Sequence, residues 1–170
     1  MNRIALWAGL VCLVPAVVQA LSSDRNLPIV IDADEFEIDE PRRSSRYRGN
    51  VQLTQGSLVV RADEIVVRTN ASRDVERLTA RGRPTTFSQQ LDDGGTVRGE
   101  ALTIDYDAQQ QRLLLEGQAR LWRDKDEVSG HTIEYLLDTE RVKAQGTRDR
   151  SGRVKIILHP AAGNEASKGD

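Results

Sequence analysis

The sequence predicts an all-β chain, an elongated jelly-roll or half-pipe. Three observations predict it. Apolar residues alternate with polar ones, and the alternation slips by one residue at four places. Glycines recur at similar intervals inside the strands that return from each slip. No segment of ten or more residues carries a 3.6-residue period.

The pattern is clearest in Leu58–Val67. Leu58, Val60 and Ala62 fall on even positions, whereas Ile65 and Val67 fall on odd ones. A one-residue slip moves side chains to the opposite face unless the strand bends or bulges there. A corner is therefore expected at Ala62-Asp63-Glu64. The other slips run from Ala33 to Phe36, from Gly99 to Leu102 and from Gly130 to Ile133. The small residues at these steps, Ala33, Ala62, Gly99 and Gly130, are 29, 37 and 31 residues apart. Such a period marks stacked copies of one supersecondary unit. Gly49, Gly82, Gly117 and Gly146 give the second series, 33, 35 and 29 apart. Each unit thus has one corner at Ala or Gly and another at Gly, and stacked units form two facing β-walls.

Taken in order, Pro28 opens the first strand, where a missing N–H costs least. Ile29–Ala33 and Phe36–Ile38 form a cornered pair, and Asp39–Ser44 is a turn. Arg46–Thr54 returns, with Tyr47, Gly49, Val51 and Leu53 in phase, and Gln55-Gly56-Ser57 turns into the central stretch. Thr69–Asp74 is a polar loop. Val75–Arg81 is a strand interrupted by Gly82-Arg83-Pro84 and resumed over Thr85–Gln89. Leu91–Gly95 is a glycine-rich hairpin turn. The third cornered pair ends at Tyr106, and Arg112–Arg123 is a long strand with Leu113, Leu115, Gly117, Ala119 and Leu121 in phase. Asp124-Lys125-Asp126 leads into the fourth pair. Arg141–Gln145 and Arg153–His159 are the last strands, and 161–170 is expected to be a disordered polar tail.

Apolar content of 38% beside 29% charged residues suits strands with one wet face and one dry face. A net charge of −2 gives no support to a nucleic-acid partner. Residues 1–20 read as a secretory signal peptide: Arg3, the uncharged Ile4–Val18, then Val18-Gln19-Ala20 as a cleavage site. An uncleaved membrane anchor is the alternative, although 15 residues broken by Pro15 are short for a span. Cys12 is not preceded by the small residue of a lipoprotein site. Cleavage after Ala20 removes Cys12 and Arg3, leaving no cysteine and a net charge of −3. A signal peptide of this type implies export from a bacterial cytoplasm, and residues 21–160 form one domain.

Little in the chain points to catalysis. His131 and His159 are far apart in sequence, and no Gly-rich loop followed by Lys offers a nucleotide site. Asp32, Asp34, Asp63, Glu64 and Glu100 cluster at corners, as solvated corner residues do. No cofactor, metal site or enzyme activity is expected. Arg42, Arg43, Arg46 and Arg48 form a basic cluster, either a solvated face or a contact for lipid phosphates at an open edge. The inward row has two readings, a filled core or a binding groove. A closed sandwich needs bulky residues from both walls, yet Ala80 and Ala119 are small without being at corners. Nothing resembling a cap covers either end. Exposed edges template pairing, so head-to-tail self-association through them is expected.

Several segments resemble the OstA-like family. They are Tyr47-Arg48-Gly49-Asn50-Val51 with Leu53-Thr54-Gln55-Gly56; Ala62-Asp63-Glu64-Ile65-Val66-Val67; Gly82-Arg83-Pro84-Thr85-Thr86-Phe87; Gly99 with Leu102 and Tyr106; Gly130 with Ile133 and Tyr135; and Gly152-Arg153-Val154 with Leu158 and Pro160. The resemblance spans about 28–160, and within the family it is nearest to the periplasmic bridge of lipopolysaccharide transport. It implies a β-jellyroll (OstA-like) of stacked antiparallel strands, open at both ends, whose interior carries the acyl chains of lipid A without chemistry. The residues so implied are Ile29, Ile31, Phe36, Ile38, Val51, Leu53, Phe87, Leu102, Ile104, Tyr106, Leu115, Leu121, Ile133 and Tyr135. It also implies pairing with jellyroll domains of inner-membrane and outer-membrane transport components. A membrane-anchored relative shares the fold, but the cleavage site and the Gly-x-Pro-x-x-Phe segment favour the soluble bridge. A structural adaptor that pairs by its edges around a filled core remains the alternative.

Overall fold

The structure, a computed structural model, describes residue 24 and residues 27–137, 139–147 and 152–160. The expected signal peptide and polar tail lie outside the described residues. Ten strands follow in order: β1 (Val30–Asp32), β2 (Glu35–Asp39), β3 (Ser44–Gln55), β4 (Leu58–Thr69), β5 (Val75–Gln90), β6 (Thr96–Asp107), β7 (Arg112–Arg123), β8 (Asp126–Leu136), β9 (Arg141–Gln145) and β10 (Lys155–Ile157). They form one antiparallel sheet in which β3 to β8 pair in chain order, β1 and β2 share the outer edge of β3, and β9 and β10 share that of β8.

The register breaks at one level across the whole sheet: between Arg48 and Val51, Arg61 and Glu64, Arg81 and Thr85, Glu100 and Thr103, and Glu116 and Ala119. Aligned bulges fold a sheet along a line. On one side of the line lie β1, the C-terminal halves of β3, β5 and β7, the N-terminal halves of β4, β6 and β8, and β10; this is wall A. The complementary halves with β2 and β9 make wall B. This single sheet buries Val51, Val60, Phe87 and Leu121 of wall A beside Ile65, Ile104, Leu115 and Ile133 of wall B, because the walls face each other around one core.

The backbone explains where the fold line falls. Gly49 and Asn50 both have positive φ, 78° and 46°, and Gly117 and Gln118 repeat the pair at 79° and 52°. Asp34 caps the first of these corners: its N–H donates to the carbonyls of Arg48 and Gly49, and its carboxylate accepts from Asn50 Nδ2 at 3.0 Å. At the corner of β5 the Arg83–Pro84 bond is cis and the strand continues through it, so Val75–Gln90 is one element.

Two expectations change. The third step runs from Ala101, which is buried, to Ile104; Leu102 is 41% exposed on the bulge. Leu102 covers Gly117 on the neighbouring strand, where the missing Cβ leaves it room. Gly99 stays inward, but the ring of Phe87, its cross-strand partner, fills the space above it. In addition, the last strand is ordered as a ladder only over Lys155–Ile157.

Candidate functional site

Next to the fold line the interior is packed. Ile65, Ile104, Leu115 and Ile133 of wall B are at most 2% exposed, and wall A opposes them with short side chains at Ala62, Thr85, Ala101 and Ala119. A narrow vertex accommodates branched residues from one side only if the other side is small. Thus Ala80 and Ala119, with exposures of 0% and 1%, belong to packed interior.

Away from the fold line the walls diverge. The two rows of turns form the lips of a slit. Gln55–Ser57, Leu91–Gly95 and Arg123–Asp126 belong to wall A; the turns around Arg43, Arg73, Gln110 and Glu140 belong to wall B. Between the lips lies a cavity of about 380 Å³ lined by Leu53, Leu58, Val60, Phe87 and Leu91 from wall A and by Leu78, Ile104, Tyr106, Leu113, Tyr135 and Leu137 from wall B. Its volume falls in the range of about 300–1,000 Å³ typical of small-molecule sites.

The rim of this cavity is acidic, with Asp24, Asp92, Asp93 and Glu140. Asp24 accepts from the Ser57 hydroxyl at 2.6 Å and its backbone N–H at 2.9 Å, and these bonds hold its carboxyl below the ordinary value of 3.8. Asp93 is lowered by the backbone N–H of Gly95 and by Arg123. Arg123, on wall A, reaches Glu140 of wall B at 2.6 Å and Asp93 at 2.9 Å. These bonds raise its pKa. Burial raises that of Tyr135, whose phenol lies within the field of the same three charges.

Among the residues expected to meet acyl chains, Leu53, Phe87, Ile104, Tyr106 and Tyr135 line the cavity. Val51, Leu115, Leu121 and Ile133 are buried in the packed part, and Leu102 is on the outward bulge. Ile29, Ile31, Phe36 and Ile38 are on or beside the N-terminal edge strands. Phe36 and Ile38 pair with Tyr47 and Ser45 on the inner face, yet are 60% and 55% exposed because no described strand covers them. The C-terminal edge mirrors this: Val142 and Ile156 pair with inward Tyr135 and Val128, and Ile156 is 58% exposed. Apolar inner surface therefore runs out at both ends of the sheet.

Sequence reasoning missed Val60 and, nearer the lips, Leu58, Leu78, Leu91, Leu113 and Leu137 as lining residues. The signal that could have found the five leucines is their place at strand ends or in turns, where diverging walls leave the inner face uncovered. His131 is exposed, and His159 stands 3.7 Å from Asp126. Glu64 on the outer face holds Arg48 at 3.1 Å, Arg81 at 3.4 Å and Arg46 at 3.8 Å, a structural cluster of corner charges.

Comparison with known proteins bears on this arrangement. The family model described as LptA/(LptD N-terminal domain) LPS transport protein matches residues 30–141. The lipopolysaccharide export system protein LptA of Haemophilus influenzae is 33% identical over 162 residues, covering 94% of this chain and 92% of that protein. LptA of Escherichia coli K12 is 30% identical, covering 95% and 85%. Among solved structures, LptH of Pseudomonas aeruginosa, the LptA-homologous periplasmic component of a lipopolysaccharide transport device, superposes with a TM-score of 0.73 at 27% identity, covering 81% of this chain and 99% of that one.

Proposed function

Since the chain belongs to the family of LptA and the LptD N-terminal domain, the lipopolysaccharide transport proteins, we propose that it is a periplasmic bridge. It passes lipopolysaccharide from the inner to the outer membrane through its apolar interior, without chemistry. The observation that carries this reading is the cavity between the walls, together with the apolar inner surface that continues past both edges. Residues 1–20 act as the export signal, and 21–160 are the working domain.

The energetics suit a conduit. Burial of one CH₂ is worth about 0.8 kcal/mol, so a chain of about twelve carbons gains on the order of 10 kcal/mol over water in either a membrane or an apolar groove. Transfer between two such sites is nearly balanced, and direction must come from an energy source elsewhere. Continuity requires aligned domains. β1 and β10 both lie on wall A, β2 and β9 both on wall B, and each edge runs antiparallel to the other. Hence β10 and β9 of one domain can pair with β1 and β2 of the next, wall to wall. The next domain is a second copy, or the jellyroll of an inner-membrane or outer-membrane component.

A second reading, an adaptor that pairs by its edges and carries no ligand, draws on the packed fold line. Photo-crosslinking separates the two. A crosslinker at Tyr106, on the cavity wall, should capture labelled lipopolysaccharide, and one at Ile65, in the packed part, should not. Only intramolecular products at Tyr106 would favour the adaptor.

A further inference from the structure

Charge on this molecule is segregated. The cavity rim is acidic, whereas the outer face of wall B at the N-terminal end is rich in arginine. There the turn between β2 and β3, the end of β4 and the start of β5 enclose a concavity of about 620 Å³, with Arg42, Arg43, Arg46 and Arg68 facing Glu37, Asp39 and Glu76. The pairings within it are uneven. Arg42 donates to Asp39 at 2.8 Å. Arg46 stands opposite Glu37 across the β2–β3 pair and lies 3.8 Å from Glu64. Arg43 and Arg68 form no ion pair with a described residue, and the four arginines lining the concavity outnumber its three carboxylates, Glu37, Asp39 and Glu76.

These two arginines are held together by the backbone. Ser44 is the cross-strand partner of Arg68, and the Thr69 N–H donates to the Arg43 carbonyl at 3.0 Å. The hydroxyl residues Ser44 and Thr69 line the same hollow. Guanidinium groups bind phosphate oxygens through paired, charge-assisted hydrogen bonds, and hydroxyls add further donors. The position matters as much as the chemistry. Arg43 belongs to a turn on the wall B lip, so a headgroup leaving the slit at this end passes directly over the hollow. On the opposite lip Asp24, Asp92 and Asp93 of wall A, and toward the C-terminal end Glu140, would repel it.

We propose that this concavity is a phosphate-binding site, with Arg43 and Arg68 as its principal donors, and that it takes the phosphate groups of the amphiphile whose chains lie between the walls. The assignment to a headgroup rests on the transport reading above; the anion site itself does not. Amphiphile transit is then polarised, with chains inside and phosphates carried over the wall B lip.

The test compares diphosphorylated lipid A with its enzymatically dephosphorylated form on the full-length protein. The double variant Arg43→Gln/Arg68→Gln should bind lipid A about tenfold more weakly and the dephosphorylated form as well as before. Arg98→Gln, an exposed arginine on wall A, is the charge control. Equal loss in the control, or no loss in the double variant, overturns the site. Pyrophosphate, followed through the backbone amide signals of residues 43–44 and 68–69, separates the two claims. If pyrophosphate binds through Arg43 and Arg68 while lipid A does not bind the wild type, the anion site stands, and the headgroup assignment and the transport reading fall.

Discussion

Arg123 Nη1 lies 2.6 Å from Glu140 Oε2, and this pair joins the two walls across the mouth of the slit. The other ion pairs between described residues stay within one wall. Both partners are about half exposed, so the pair contributes below about 1 kcal/mol to stability. Its effect should instead appear in access to the cavity. Glu140→Gln is expected to speed entry of a fluorescent fatty acid two- to fivefold in stopped flow, with little change in the urea midpoint. High salt should speed the wild type in the same way and leave the variant unmoved. Identical rates in both proteins would mean that the clasp does not hold the slit.

Gly117 has φ of +79°, and a Cβ there would lie 2.9 Å from Leu102 Cδ1 and 3.1 Å from Leu102 Cβ. Gly117→Val combines a strained backbone with overpacking at the fold line. It should lower the unfolding free energy by about 2–4 kcal/mol. Adding Leu102→Ala should recover part of that loss, because it removes the Cγ and Cδ1 contacts but leaves the Cβ contact and the strain. A urea midpoint unchanged by Gly117→Val would refute the corner argument at this position.

The edges predict association. Sedimentation velocity over a wide concentration range should show head-to-tail species growing with concentration. Deleting residues 153–170 removes β10 with its exposed Ile156 and Leu158, and should abolish self-association while the N-terminal edge still docks a jellyroll partner. A protein that stays monomeric at high concentration rules out self-stacking. A deletion that spares every interaction rules out the C-terminal edge.

Stability should fall in acid. Four aspartates have carboxyl pKa values below the ordinary 3.8: Asp24 through the Ser57 hydroxyl, and Asp39, Asp93 and Asp107 mainly through the backbone N–H groups of Arg42, Gly95 and Gln110. Their contribution is fully present above the unfolded value and is lost as pH falls through the lowered folded values. Tyr135 has the opposite sense: burial raises it above 10.0, so its contribution is lost as pH rises past that range. Chemical denaturation should give a plateau between about pH 5 and 9, declining below 4. Asp93→Asn should soften the acid limb, and absorbance titration should place Tyr135 above an ordinary tyrosine. An acid limb unchanged by removing these aspartates one at a time would point elsewhere.

Much of the fold is legible in the sequence because a strand's two-residue period records each corner as a slip. Ala62 to Ile65 and Gly130 to Ile133 mark two bends of the fold line directly. The third step misleads because Ala101 and Leu102 are both apolar. Sequence alone cannot tell that the bulge turns Leu102 outward over Gly117. The site is less legible. Burial next to the vertex and exposure near the lips depend on how far the walls diverge, and no local pattern encodes that angle. Leu115 and Leu113 are in phase on the same strand, yet one is packed and the other lines the cavity. The Arg123–Glu140 pair joins turns that are adjacent only after folding.

Each outer edge of the sheet is broken in two, three and five residues long at one end and five and three at the other. A straight, aggregation-prone strand from an unrelated or unfolded chain can therefore engage only one short piece before the fold line turns the backbone away. Only a partner bent at the same level reaches both pieces at once. The break thus disfavours amyloid-like growth at both edges, and it restricts edge pairing to chains that share its kink.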